Sequence, residues 1–225
     1  MALKTLIKKT DCLFLPSFCV NCHQETPEEP PSLRWLCFSC HGLLNPRWEK
    51  DSLRPEIESL YFIFNYEKDR LAQKLIQALK YNFVKEIAAS LNVALEKERL
   101  NFSRLDFEII TPIPLHRRRL KERGFNQSRL IADKISEITG REVLAETLSR
   151  TGYRRHQAGL KKQADREKNI LNIFTCRGTN SKLIAGRTIL LVDDVATTGA
   201  TLREAARVLK SAGAAKVIAF TLARD

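Results

Sequence analysis

From about residue 57 onward, the hydrophobic positions of this chain change their spacing in a regular order. "LYFIFNY" is a nearly unbroken apolar run of strand length. Leu71, Leu75, Ile76 and Leu79 then recur three and four apart, which predicts an amphipathic helix within "EKDRLAQKLIQALKYN". "VKEIAASLNVALEKERL" continues in helix, and "FEIITPIPL" returns to a buried strand. Helix "NQSRLIADKISEIT" stops at Gly140, followed by short strands in "EVLAETLSR" and "NILNIFT". Strand "TILLVDD", helix "LREAARVLKSAG" and strand "KVIAFTLA" close the chain. Alternation of this kind predicts an α/β fold built on a doubly wound parallel sheet.

The first fifty residues follow a different rule. Two C-x-x-C units, "CVNC" and "CFSC", supply Cys19, Cys22, Cys37 and Cys40. Each unit puts two thiols on one tight turn, and the polar, Pro-rich segment between them lets the turns face one another. Four soft ligands close a tetrahedron around Zn²⁺, so the expected site is structural rather than catalytic. Disulfides are the alternative, and His23 or His41 as a substitute ligand is a further one. Cys12 and Cys176 sit in apolar stretches and read as small core residues. The expected division is a zinc ribbon at 1–50 and a larger domain at 51–225, with a hood region near 57–105. The stretch "LNPRWEKDSLRPEIES" reads as the linker.

Composition narrows the partners. The net charge is +12 and the isoelectric point about 9.6, a surplus that suits phosphate-rich ligands or nucleic acid. No apolar run approaches the roughly 18 residues of a membrane span. "MALKTLIKKTDCLFLPSF" loosely mimics a signal peptide, but its apolar patch is short and broken by Pro16, and no small-residue cleavage site follows. A brief amphipathic helix and a cytoplasmic location are expected instead.

The segment "TILLVDDVATTGAT" carries the candidate chemistry. In open parallel sheets ligands bind beyond the carboxyl ends of the strands. Asp193 and Asp194 fall at such an end, and strand alternation predicts that they point to opposite faces. Carboxylates accept hydrogen bonds and donate none, which suits sugar hydroxyls or, through water, Mg²⁺. Ala196, Thr197, Thr198, Gly199, Ala200 and Thr201 form a small turn leading into a helix, the composition that lets backbone N–H groups close around a phosphate. Diol acceptors beside a phosphate cradle match a ribose 5-phosphate. The chain has no G-x-x-x-x-G-K-[ST] loop and no G-x-G-x-x-G after its first strand, which removes P-loop and dinucleotide folds.

"ILLVDDVATTGATL" closely resembles the ribose-phosphate motif of type I phosphoribosyltransferases. "LKYNF", "PIPLHRRRLKERGFNQS", "RHQAGLKKQADREKNI" and the four-cysteine ribbon narrow the resemblance to the ComF family of competence-associated proteins, across nearly the whole chain. The resemblance implies that Asp193 and Asp194 hold the ribose hydroxyls of phosphoribosyl pyrophosphate and that residues 196–201 hold its 5-phosphate. It implies that the loop after "EIITPIP", with His116, Arg117, Arg118 and Arg119, cradles pyrophosphate. It makes the basic stretch 154–166 a mobile loop and puts Lys80 and Tyr81 in the hood beside the site. The implied activity is Mg²⁺-dependent phosphoribosyl transfer to an unknown acceptor, acting in DNA uptake. The alternative is a non-catalytic adaptor that binds nucleotide or single-stranded DNA and docks a DNA-uptake helicase through its ribbon.

Overall fold

The computed structural model describes residues 17–53, 55–81, 85–152, 173–176 and 178–225. Cys12 and the basic stretch 154–166 lie outside the described residues. The central element is the strand β9, Thr188–Ala196. Its "ILLV" core is buried on both sides, as a strand between two parallel neighbours must be. Parallel β10 (Lys216–Arg224) flanks it on one side and parallel β5 (Ile109–Pro112) on the other. The six-stranded sheet runs β3-β4-β10-β9-β5-β6, with β4 at Ile57–Asn65 and β6 at Glu142–Val143.

Within this sheet only β3 (Glu49–Leu53) runs antiparallel, and the expected linker contains it. Glu49, Lys50 and Ser52 face solvent and only Leu53 is buried, so this edge strand shows no apolar alternation to read. Its register shifts between Asp51 and Leu53 where it meets β4.

Helices cover both faces of the sheet. On one face lie α2 (Arg70–Tyr81), α3 (Ala88–Lys97), α4 (Arg99–Ser103) and α6 (Gln127–Thr139). Their buried stripes, including Leu75, Ile76, Leu79, Ile131 and Ile135, share one core with Leu190 and Val192 of β9. On the other face lie α7 (Gly178–Ile184), which buries Ile184, and α8 (Ala200–Ser211), which buries Leu202, Ala205 and Leu209 against Ile189 and Leu191. The even and odd residues of β9 thus feed two separate cores, which is what doubly wound means in side-chain terms. The continuous helix expected at 84–100 is divided instead. A 3-10 turn at Lys85–Ile87 precedes α3, and Glu98, with φ −94° and ψ 12°, separates α3 from α4. The segment "EVLAETLSR" likewise makes two strands. β6 joins the main sheet, while β7 (Leu148–Arg150) pairs antiparallel with β8 (Phe174–Cys176).

The four-cysteine ribbon contains β1 (Ser17–Phe18), β2 (Glu25–Thr26) and α1 (Phe38–Gly42). Its Cys19, Leu36, Cys37, Cys40 and Leu44 belong to the same core as α2, α3 and α6. Beyond it, Trp48 stacks on Tyr61 at 5.4 Å and meets Phe102 edge-on at 4.9 Å, which adds aromatic area to that core. No helix of the described residues is long and apolar enough to cross a membrane.

Candidate functional site

The parallel strands all deliver their carboxyl ends to one edge, and Asp193 and Asp194 stand there on the central strand. Each finds a partner on a different helix. Ser128 Oγ, in the first turn of α6, donates to Asp193 Oδ1 at 2.8 Å, and the Asp194 backbone N–H donates to the same oxygen at 2.9 Å. Lys80 Nζ, in the last turn of α2, contacts Asp194 Oδ1 at 2.9 Å. Both helices lie on one face of the sheet, so the alternation argument for opposite faces fails here. The reason is local. The Asp193 carboxylate sits at the strand end, where it accepts from the Asp194 backbone N–H and from Ser128 in the first turn of α6.

This arrangement sets the charges. At Asp193, burial and then the neighbouring Asp194 carboxylate push the pKa up to about 7, against the Ser128 hydrogen bond and the Lys80 charge. Burial also acts on Lys80, to lower it, but the charge and hydrogen bond of Asp194 outweigh that and carry it above its ordinary value. One ammonium therefore faces two carboxylates in a partly dry site, a cluster with room for further positive charge.

The turn after β9 is built for close approach. Gly199 has φ 73°, in the left-handed region, and starts α8 without a side-chain cap. A Cβ at Gly199 would lie 2.7 Å from Leu53 Cδ1 of β3, so the edge strand presses directly on the turn. Thr198 Oγ1 accepts from Ala200 N at 3.3 Å, and Arg203 Nη1 donates to Thr198 O at 2.9 Å. The twelve-residue α8 points its N-terminal dipole at this turn. Thr197 is exposed, Thr201 is half-buried and Ala196 and Ala200 are buried.

On the other side of the aspartates, β5 ends at Pro112 opposite Val192. The following loop is shorter than the sequence suggests. It ends at His116, whose ring nitrogen caps α5 (Arg117–Arg123) by accepting from Arg118 N at 3.2 Å. Arg117, Arg118 and Arg119 are therefore helical residues, not loop residues, and helix geometry separates their side chains. A cavity of about 630 Å³ is lined by Pro114, His116, Arg117, Arg129 and Arg150 among others. Arg118 does not line it and instead pairs with Glu122 at 3.2 Å on the exposed side of α5. Tyr81 closes α2, with its side chain outside the described set.

The sequence motifs give no role to Ser128, Arg129, Arg150 or Arg203. For Ser128 a signal existed in "NQS". Asn126 caps α6 through Ser128 N at 3.1 Å, a pattern that marks a helix start and aims its first turn at the strand ends. The three arginines carry no local signal of that kind.

At the ribbon, the sulfurs of Cys19, Cys22, Cys37 and Cys40 all lie within 4.8 Å of one another, and Cys22 and Cys37 are 3.6 Å apart. A disulfide needs about 2.05 Å, whereas tetrahedral Zn–S bonds of about 2.3 Å put sulfurs roughly 3.8 Å apart. The group can hold a metal such as zinc, and among the described residues neither His23 nor His41 joins it. The thiols also call for a cation. At Cys40 the Asn21 side chain pulls the pKa down, but burial and the three other thiols push it up to about 12. Burial opposes ionisation of Cys19 too, yet hydrogen bonds from the backbone of Cys22, Cys37 and Asn21 bring it to about 6. Thiolates packed this closely repel one another until a metal supplies positive charge.

Residues 123–225 match the phosphoribosyl transferase domain family, a span that contains the central strand β9, the aspartate pair and the glycine turn. The chain is a homologue of the ComF proteins, as its motifs indicate. It is 34% identical over 154 residues to the DNA utilization protein YhgH of Escherichia coli (strain K12), covering 67% of this chain and 66% of that protein. It is 33% identical over 117 residues to Competence protein F of Haemophilus influenzae, covering 52% and 50%. With Competence protein ComFC of Bacillus subtilis (strain 168) it shares 35% over 119 residues, covering 52% and 45%. The chain thus spans about half to two thirds of the curated relatives it matches.

Proposed function

We propose that this chain binds phosphoribosyl pyrophosphate with Mg²⁺ at the carboxyl end of β9 and acts in DNA uptake or use. The observation that carries the reading is the pairing of two acceptor carboxylates at the end of β9 with a left-handed glycine turn directly after that strand. Asp193 and Asp194 would accept from the ribose diol. The backbone of residues 197–201, with the α8 dipole, would receive the 5-phosphate. Arg117, with Arg129 and Arg150, would offset charge on the pyrophosphate. Mg²⁺ bound with the pyrophosphate would supply further charge neutralisation. In a transfer reaction the bond from ribose C1 to the pyrophosphate oxygen breaks, and a bond from C1 to a nitrogen acceptor forms. The chain's own contribution is position and preorganised charge. The names of the relatives, competence and DNA utilization, support the biological setting. A structural Zn²⁺ in the ribbon and a cytoplasmic location complete the proposal. Titration calorimetry with Mg²⁺ present tests it. Wild type should bind phosphoribosyl pyrophosphate, and Asp193→Asn with Asp194→Asn should weaken it on the order of a hundredfold, since charged hydrogen bonds are worth about 1.5–3 kcal/mol each. Equal affinity in the double variant would remove the aspartates from the ligand.

The charge of +12 and the arginine-lined cavity favour a second reading, a non-catalytic module for nucleotide or single-stranded DNA that docks a DNA-uptake helicase. On this reading affinity for a labelled oligonucleotide falls steeply between low and moderate salt. Arg117→Ala should lower the logarithmic salt slope by about 0.7, the contribution of one single-strand phosphate contact. Arg118→Ala, already paired with Glu122, should change it less. Equal slopes in wild type and Arg117→Ala would take the cavity out of DNA contact.

A further inference from the structure

The metal cluster and the aspartate pair are joined by one helix. Asn21 sits between Cys19 and Cys22 on the first cysteine turn. Its Nδ2 donates to Cys40 Sγ at 3.3 Å, on the second cysteine turn, and its Oδ1 accepts from Lys74 Nζ of α2 at 2.9 Å. One side chain therefore touches the sulfur cluster with one end and α2 with the other. Beneath that contact, Cys19, Leu36 and Cys40 share a core with Leu75, Ile76 and Leu79 of α2. Six residues beyond Lys74, about 9 Å along the helix, Lys80 reaches Asp194. The last turn of α2 is held again where Leu79 O accepts from Gln127 Nε2 at 3.3 Å, and Gln127 adjoins Ser128, the partner of Asp193.

We propose that Asn21 and Lys74 are positioning residues that couple the metal state of the ribbon to the Lys80–Asp194 contact through α2. Metal fixes the Cys40 sulfur and hence the orientation of the Asn21 amide. The amide steadies Lys74 and the ribbon face of α2, which seats Lys80 on Asp194. Loss of metal, by a chelator or a thiol oxidant, loosens that seat and leaves Asp194 without its fixed counter-ion. The outer-shell role follows the general rule that groups bonded to metal ligands orient them and tune affinity. The meaning of the contact for a ribose ligand rests on the reading in the previous subsection. The coupling itself is read on Lys80 without ligand, so either can fail alone.

The test is trace acylation of the full chain with acetic anhydride, followed by mass spectrometry of the Lys80 peptide, with amide exchange of β9 as a check on folding. Removing the metal should raise Lys80 acylation about fivefold while β9 stays protected, a local opening at one end of α2. Asn21→Ala should weaken zinc affinity about tenfold in a chelator competition and raise Lys80 acylation in the metal-loaded chain. Lys74→Met should leave the metal bound and raise Lys80 acylation about twofold, because an exposed hydrogen bond of this kind contributes only modestly. Lys74→Arg should restore the wild-type rate. Lys97→Met, which removes a 3.3 Å bond from α3 to Leu44 O of the ribbon, should leave Lys80 unchanged. Unchanged Lys80 acylation in a metal-free chain with protected β9 overturns the proposal. If metal removal exposes β9 as well, the metal-loaded Lys74→Met variant decides, and an unaltered rate there, or an equal rise in Lys97→Met, overturns it.

Discussion

At the scale of single residues, the site holds charge under tension. Asp193 is pushed up to about 7 by burial and by Asp194, from an ordinary value of 3.8. A carboxyl raised on folding favours the folded state fully below its unfolded pKa and loses that contribution as pH rises through the folded one. Between about pH 4 and 7 this contribution is therefore lost, because the unfolded chain ionises while the folded carboxyl keeps its proton. Asp193→Asn keeps the acceptor for Ser128 and removes the charge. The variant should be more stable than wild type at pH 8, on the order of 2 kcal/mol, discounted for partial solvent access. The gap should close toward pH 4, where wild type is already neutral. Urea unfolding at both pH values checks the sign. A wild type more stable than the variant at pH 8 would show that the strain is absent.

At the scale of elements, a short edge strand controls the turn that follows the central one. Leu53 of β3 packs where a Cβ on Gly199 would fall, and Gly199 itself holds φ 73°. Two separate costs follow for Gly199→Ala, the left-handed backbone at about 1 kcal/mol and the contact with Leu53 on top of it. Leu53→Ala in the same chain should recover the contact cost and leave the backbone cost. A double-mutant cycle by thermal unfolding should therefore show coupling of about 1 kcal/mol between positions that are far apart in sequence. Strict additivity would mean that β3 does not constrain the turn.

At the scale of the whole molecule, the ribbon shares its buried core with helices of the sheet, which predicts one cooperative unit. Cys19, Leu36 and Cys40 share a core with α2, α3 and α6, and Ser90 Oγ of α3 donates to Ser32 O of the ribbon at 2.7 Å. A domain hung on a linker would melt by itself. Here calorimetry of the metal-loaded chain should give one transition, and chelation should lower its midpoint rather than split it. Two resolved transitions, with the larger at an unchanged temperature, would return the ribbon to independence.

Much of this was legible in the chain itself. The change from strand to helix spacing determined the alternation, because burial imposes period 2 or 3.6 on any element that covers a core. Paired C-x-x-C units determined the sulfur cluster, since one turn can present two thiols whatever surrounds it. "VDDVATTGAT" determined a polar strand end and a glycine turn, both properties of adjacent residues. Tertiary structure decided the rest. It made the apparent linker into β3, because an edge strand buries too little to show a pattern. It turned both aspartates toward helices of one face, because the partners Ser128 and Lys80 lie 65 and 114 positions away from them in the chain. It put Arg117 on the cavity and Arg118 on Glu122, a choice made by the direction of α5 and not by residue type. It also joined the ribbon to the site through α2. Contacts between distant segments are set by how their elements pack, and no local pattern of side chains encodes that packing.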